Sequence, residues 1–310
     1  MKQKIIIISG PTASGKSGIA LDLALRKEIV IINADSLQIY QGLGILSSQP
    51  TASDQEKAEH KLYSTLKFDQ NSSVGIWLKL VESTIKEVWQ QNKLPVIVGG
   101  TGMYISKLIE GINEIPAIDE TIKKNSRDLF DEVGIENFRK ELVNLGEIEA
   151  KIQNLDKQRL IRVHEVLKQT GKSLFWWQNQ PNKKLFDENI FTHINLNPNR
   201  EELYKNCNLR FELMLKNGAI EEVRKLVENF SYRNDEEYYD EFLITKTLGF
   251  TEIVDFLNKR ISYEEVLKNA AQKTRNYAKR QLTWFRNQLQ NKLVFEDNIK
   301  ALEYLTQIRH

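Results

Sequence analysis

Three short β-branched runs stand out from a chain whose apolar positions otherwise recur at helical spacing. They are Ile5-Ile6-Ile7-Ile8, Ile29-Val30-Ile31-Ile32 and Pro95-Val96-Ile97-Val98. Each is free of charged residues and ends in turn-forming positions, the pattern of strands covered on both faces in a parallel sheet. Between the second and third, residues 72–91 carry Ile76, Leu80, Ile85, Val88 and Trp89 on one stripe, a helical crossover suited to a βαβ unit. From 116 to 189 the β-branched runs vanish, and amphipathic segments follow one another with Gly134, Gly146 and Gly171 at the breaks. A strand pattern returns at 190–196. Ser262-Tyr263-Glu264-Glu265 then has the capping-box form and opens a helix expected to run to about Gln288. The pattern predicts an α/β fold, a parallel sheet flanked by helices with an inserted all-helical domain. Residues 1–115 and 190–310 supply the core and 116–189 the insertion.

Composition narrows the classes. The 310 residues include 44 basic and 42 acidic side chains, a net charge of +2, so no whole-molecule field marks a polyanion partner. The balance is local instead. Residues 266–295 hold Lys268, Lys273, Arg275, Lys279, Arg280, Arg286 and Lys292 without one acidic residue, interleaved with Tyr277, Trp284 and Phe285. Residues 151–184 carry eight basic and two acidic side chains. Both segments are candidate nucleic-acid faces, although aromatics at helical spacing also read as core. The acidic stretch Asp235-Glu236-Glu237 with Asp240-Glu241 reads as a solvated loop rather than a metal site. The single cysteine, Cys207, excludes a disulfide framework and any zinc site built on several thiolates, which fits a reducing, cytoplasmic setting. No apolar run reaches the length of a signal peptide core or a membrane span, so no membrane partner is expected, and a monomer is the default state.

The chemistry enters with Gly10-Pro11-Thr12-Ala13-Ser14-Gly15-Lys16-Ser17, which fits G-x-x-x-x-G-K-[ST] between an apolar strand and an amphipathic helix. The glycines let the backbone curl around an anion, the helix adds its positive end, Lys16 adds a charge and Ser17 offers a hydroxyl to Mg²⁺. This makes the sheet P-loop NTPase-like and the ligand a polyphosphate or pyrophosphate. Asp35 follows the second run, at the carboxyl edge where open α/β sheets place ligands. Its position alone leaves a Mg²⁺ ligand, a general base and a helix N-cap all open. The third run ends in Gly99-Gly100-Thr101-Gly102 on the same edge, a turn that allows close ligand approach and gives Thr101 a hydroxyl role. On these features alone a P-loop small-molecule kinase and an RNA-binding ATPase switch are rival readings.

With these sites in hand the sequence resembles the tRNA dimethylallyltransferase (tRNA isopentenyltransferase) family in its bacterial form. The resemblance rests on the phosphate loop, Ala34-Asp35-Ser36-Leu37-Gln38-Ile39-Tyr40, Val98-Gly99-Gly100-Thr101-Gly102-Met103-Tyr104, Asp156-Lys157-Gln158-Arg159-Leu160-Ile161-Arg162 and the block from Thr274 to Arg286. It implies transfer of a dimethylallyl group from dimethylallyl diphosphate to the exocyclic N6 amine of the adenosine 3′-adjacent to the anticodon, with Mg²⁺ as cofactor and diphosphate released. Asp35 would be the general base, Arg210 the pyrophosphate-contacting arginine, and Thr101 the residue orienting Asp35 or the diphosphate. Ser36 and Gln38 would hold the adenine edge, beside Leu37. The anticodon arm of tRNA would meet Lys123, Gln158, Arg159, Leu160, Ile161 and Arg162 in the insertion, and Arg275, Lys279 and Arg280 near the carboxyl end. Three stretches depart from the family pattern: Ser47-Ser48-Gln49-Pro50 lacks a usual lysine, His60-Lys61 replaces a histidine pair, and Gly249-Phe250-Thr251 replaces a Gly-Tyr-Lys/Arg turn.

Overall fold

A computed structural model describes residues 3–231, 242–290 and 292–308. The chain runs β1 (Ile5–Ser9), α1 (Lys16–Ala24), β2 (Ile29–Asn33), α2 (Ala52–Lys57), β3 (Glu59–Lys61), α3 (Val74–Gln90), β4 (Leu94–Gly99) and α4 (Gly102–Glu110). Helices α5 (Glu120–Asn144), α6 (Glu149–Ile152), α7 (Lys157–Thr170) and α8 (Leu174–Gln178) follow. Then come β5 (Phe191–Leu196), α9 (Arg200–Lys216), α10 (Ala219–Ser231), α11 (Phe250–Leu257), α12 (Tyr263–Gln288), β6 (Leu293–Phe295) and α13 (Asn298–Gln307). Two compact units result, Met1–Glu110 with Leu185–His310, and Gly111–Lys184.

The first unit is built on six parallel strands in the order β3-β2-β4-β1-β5-β6. Strands β1, β2 and β4 are buried along their whole length, so water offers their side chains no competing environment and a continuous apolar run is the stable sequence. Under one face Ile6, Ile8, Leu23, Val96, Ile194, Ala301 and Leu305 form a single cluster that joins β1, β4 and β5 to α1 and α13. Register decides where the chemistry emerges: Ile8 and Asn33 both pair with Val98, so β1, β2 and β4 end level with one another. The phosphate loop, Asp35 and the Gly99–Gly102 turn therefore leave the sheet side by side.

Helix α3 is capped by Ser73, whose side chain accepts the Ile76 N–H. The Ser262 capping box closes in both directions, and α12 runs to Gln288. Strands β3 and β6 carry no strand signal because each is three residues long and neither is fully buried.

The second unit is helical. Phe138, Leu142, Ile152, Leu160 and Val163 are fully buried in its core. Gly134, in the left-handed region at φ 72°, breaks α5, and Gly171 ends α7 at φ 68°. Its limits are 111 and 184 where the sequence pattern suggested 116 and 189. The reason is an antiparallel bridge between Ile112 and Lys183, which pairs the two ends of this unit with each other, while Phe186 packs on Trp89 and Phe191 of the first unit. The Asp235–Glu237 and Asp240–Glu241 stretch lies outside the described residues. Among those residues no helix is long and apolar enough to cross a membrane.

Candidate active site

The phosphate loop joins β1 to α1, and three of its residues have positive φ, Gly10 at 151°, Ala13 at 62° and Gly15 at 89°. Alternation of this kind turns successive N–H groups into an anion-accepting concavity at the helix start. Lys16 donates from Nζ to the Pro11 carbonyl at 2.6 Å. Burial, and then the charge of Arg210, bring its pKa down to about 7, while Asp35 pulls the other way. Such an amine is poised to gain from an arriving anion. Arg210, projecting from α9, donates through Nη2 to the Thr12 hydroxyl. Its Nε and the Ser14 hydroxyl oxygen are buried without a protein partner, leaving two unused groups beside the loop. Ser17, on the first turn of α1, is exposed.

Asp35 is fixed from behind. Asn33, fully buried at the end of β2, accepts the Asp35 N–H at 2.7 Å and donates to the Asp35 carbonyl at 2.9 Å and the Leu62 carbonyl at 3.0 Å. The Asp35 Oδ1 accepts the Leu37 N–H at 2.9 Å and the Gln38 N–H at 3.4 Å, a turn-capping geometry that leaves Oδ2 for other work. Asp35 thus caps a turn rather than a helix, while it lines the cavity in which a general base or a metal ligand would act.

Thr101 does not reach the Asp35 carboxylate. Its hydroxyl accepts the Ser36 N–H at 3.0 Å and donates to the Ser36 hydroxyl at 3.4 Å, so it sets the turn that carries Asp35. Gln38 is held by the loop opposite. Both hydrogens of its Nε2 go to the Ser47 and Ser48 carbonyls, at 2.8 and 2.9 Å, which leaves the side chain only its oxygen for a ligand. A Cβ on Gly99 would lie 2.1 Å from the Ala34 carbonyl oxygen, so glycine there is a condition of the two loops meeting.

Two cavities converge on these groups. One, of about 800 Å³, is lined by the phosphate loop, Ser47–Thr51 and the Gly99-Gly100 turn. The other, of about 330 Å³, is lined largely by apolar and aromatic groups, among them Leu37, Leu46, Phe211, Leu248 and Tyr277, with Ser36 and Arg280. Thr12, Asp35, Ser47, Arg210 and Met214 line both. The carboxylate therefore stands where a phosphate-binding cleft meets a mostly apolar chamber.

Of the expected RNA-facing residues, Lys279 and Arg280 are exposed on α12, the Arg280 guanidinium 5.6 Å from the Tyr277 ring centroid. Arg275 is half-buried and donates to Asn208 and Gln272. In the second unit Gln158 and Arg159 are exposed, Arg162 pairs with the buried Glu165 at 3.3 Å, and Lys123 pairs with Glu120 at 2.6 Å. Leu160 and Ile161 are corrections: both face the core of that unit, at 0% and 7% exposure, because the helical phase of α7 turns them inward. Their side chains are not surface contacts.

Asn33, Glu222 and Gln281 also shape the site, although none belongs to a local catalytic motif. Glu222 of α10 accepts the Ile45 and Leu46 N–H groups, each at 2.9 Å, and so fixes the loop lining both cavities. Gln281 of α12 accepts the Thr12 N–H and donates to the Gly100 carbonyl. The readable signal is a carboxamide on the buried stripe that carries Ala270, Ala278 and Phe285. The three divergent stretches take internal partners: Gln49 bonds the Tyr40 carbonyl and the Ser64 hydroxyl, Lys61 pairs with Glu59 and Glu87, and Gly249 caps α11 against Phe211.

The sequence pattern of a family described as IPP transferase matches residues 38–288, and that of one described as isopentenyl transferase matches residues 3–67. The tRNA dimethylallyltransferase of Ehrlichia chaffeensis is 39% identical over 300 residues, covering 96% of each chain. That of Rickettsia prowazekii is 37% identical over 311 residues, spanning 100% of this chain and 97% of its own. The solved full-length tRNA isopentenylpyrophosphate transferase of Bacillus halodurans superposes with a TM-score of 0.68 at 28% identity, covering 98% of this chain and 95% of the other. A eukaryotic dimethylallyltransferase solved acting on tRNA shares the fold, with a TM-score of 0.80 at 24% identity over 92% of this chain and 70% of that one. The parallel sheet with its flanking helices is P-loop NTPase-like.

Proposed function

The chain belongs to the IPP transferase family and is an enzyme of tRNA dimethylallylation, and from that premise we propose how its own residues carry the transfer. The substrate pair is dimethylallyl diphosphate and the adenosine 3′-adjacent to the anticodon. The observation that carries the proposal is the shared wall: Asp35 lines both the phosphate cleft and the apolar chamber. A diphosphate held by the loop directs its allylic carbon toward that wall, and a nucleobase drawn out of the anticodon loop occupies the chamber beyond.

In the reaction the bond between the allylic carbon and the diphosphate oxygen breaks as a bond from N6 to that carbon forms. The electron pair leaves with the diphosphate, and the N6 proton goes to Asp35. Stabilising the developing charge on the leaving group is the largest demand. Lys16, Arg210, the Ser14 hydroxyl and the loop N–H groups answer it, and the guanidinium fork suits two phosphate oxygens. An adenine amine is weakly nucleophilic because its lone pair is delocalised. A carboxylate at hydrogen-bond reach removes the proton as the bond forms, and Asn33 and Thr101 keep it aimed.

The donor set also fits Mg²⁺. Among the described residues no three of His, Cys, Asp or Glu gather into a metal cage. Mg²⁺ characteristically keeps several waters and binds through substrate phosphates with few protein ligands, so the exposed Ser17 hydroxyl beside the loop is sufficient. When bound, the ion supplies positive charge to the diphosphate oxygens.

Lys279, Arg280 and Arg286 on α12, with Arg159 and Arg162 on α7, are the proposed phosphate contacts of the tRNA anticodon arm. The test is incubation with tRNA, Mg²⁺ and either labelled dimethylallyl diphosphate or labelled ATP. Label entering RNA from the diphosphate alone is expected. ATP turnover without prenyl transfer would contradict the proposal.

A further inference from the structure

A carboxamide on the buried stripe of a helix is costly unless both its ends are bonded, and Gln281 of α12 meets that condition in an unusual place. It is 6% exposed, between Ala278 and Phe285 on the inward face. Its Oε1 accepts the Thr12 N–H at 2.8 Å, and its Nε2 donates to the Gly100 carbonyl at 2.9 Å. Thr12 in turn receives Arg210, and Thr101, next to Gly100, receives the N–H of Ser36 beside Asp35. One side chain thus spans the diphosphate end and the base end of the site. Gly100 supplies an independent sign of that fit, since a Cβ there would lie 2.4 Å from the Gln281 Nε2.

We propose that Gln281 is a positioning residue of the transfer, holding the phosphate loop with Arg210 at a fixed separation from the turn that carries Asp35. The inference rests on the proposed function, because the separation matters only if a diphosphate and a proton acceptor work on one substrate pair. Catalysis of this kind depends on reacting atoms meeting at near-contact distance, and a displacement of about 1 Å costs on the order of 100-fold in rate.

The test uses the full chain and two variants. Gln281→Met keeps the length and loses both bonds. It is expected to lower the single-turnover rate of dimethylallyl transfer about 100-fold, with tRNA affinity changed less than about threefold. Gln281→Glu keeps an acceptor for Thr12 but sets a carboxylate oxygen against the Gly100 carbonyl unless it is protonated. Its rate relative to wild type at the same pH is therefore expected to rise as pH falls, a rescue that a merely structural role would not show. A Gln281→Met rate within about threefold of wild type would overturn the proposal. So would a Gln281→Glu ratio flat with pH. Inorganic pyrophosphate binding to the wild type separates the two layers: if the wild type binds pyrophosphate and transfers label while the variants behave alike with it, Gln281 alone is refuted. A wild type that binds no pyrophosphate refutes the proposed function and this inference with it.

Discussion

Replacing Arg210 by methionine separates two electrostatic effects that the site superimposes. The side chain retains its length and packing on α9 but loses the bond to the Thr12 hydroxyl, the unused Nε and the positive charge. The first effect is direct: a hydrogen bond to a charged group contributes about 1.5–3 kcal/mol, so pyrophosphate binding is expected to weaken roughly 10- to 150-fold. The second runs the other way. Arg210 is the second cause, after burial, of a Lys16 pKa brought down to about 7, so its removal lets Lys16 protonate at higher pH. Pyrophosphate requires the protonated amine. In the wild type its affinity therefore falls as pH rises through about 7, and in Arg210→Met that fall moves upward. The assay is isothermal titration of pyrophosphate between about pH 6 and 9, with Lys16→Met as the reference for titration of the ligand itself. Wild-type affinity in the variant, or an unmoved inflection, would refute the reasoning.

Other predictions follow from buried groups. His193, bonded to Ser9 at 2.7 Å, is held down to about 4 from 6.5 by burial and then by Lys292. A depressed folded-state pKa means its stability contribution is whole above pH 6.5 and is lost as pH falls toward 4, a change of about 3 kcal/mol, and His193→Gln should flatten urea midpoints over that window. Leu160→Ala should destabilise the helical unit by about 2–5 kcal/mol in urea unfolding, since the side chain is fully buried. Arg159→Ala, on the exposed face of the same helix, should leave stability within about 0.5 kcal/mol and reduce the slope of log K against log salt for tRNA by about one.

How much was readable depended on how local each signal is. The phosphate loop and the strands β1, β2 and β4 declare themselves within eight residues, because a contiguous curl and a doubly covered strand both constrain neighbouring positions. Asn33 and Gln281 do not. Asn33 ends an apolar run as a turn residue would, and its bond to the Leu62 carbonyl, 29 residues on, exists only in the fold. Gln281 lies 269 residues from Thr12 in the chain. Leu160 and Ile161 show the opposite failure. They belong to a matched motif, yet the apolar phase they share with Val163 points to the core, and the periodicity was the better guide. The strand-end position of Asp35 and a capping role for it were legible, but its place between two cavities was not.

The central claim is that Asp35 removes the N6 proton. Asp35→Asn preserves an oxygen to accept the Leu37 and Gln38 N–H groups, so the turn survives while the acceptor of the proton is lost. General-base assistance contributes roughly 10²–10⁴-fold. The single-turnover rate of dimethylallyl transfer to tRNA is therefore expected to fall by about that factor in Asp35→Asn, with pyrophosphate affinity undiminished. A rate within about threefold of wild type would contradict the account.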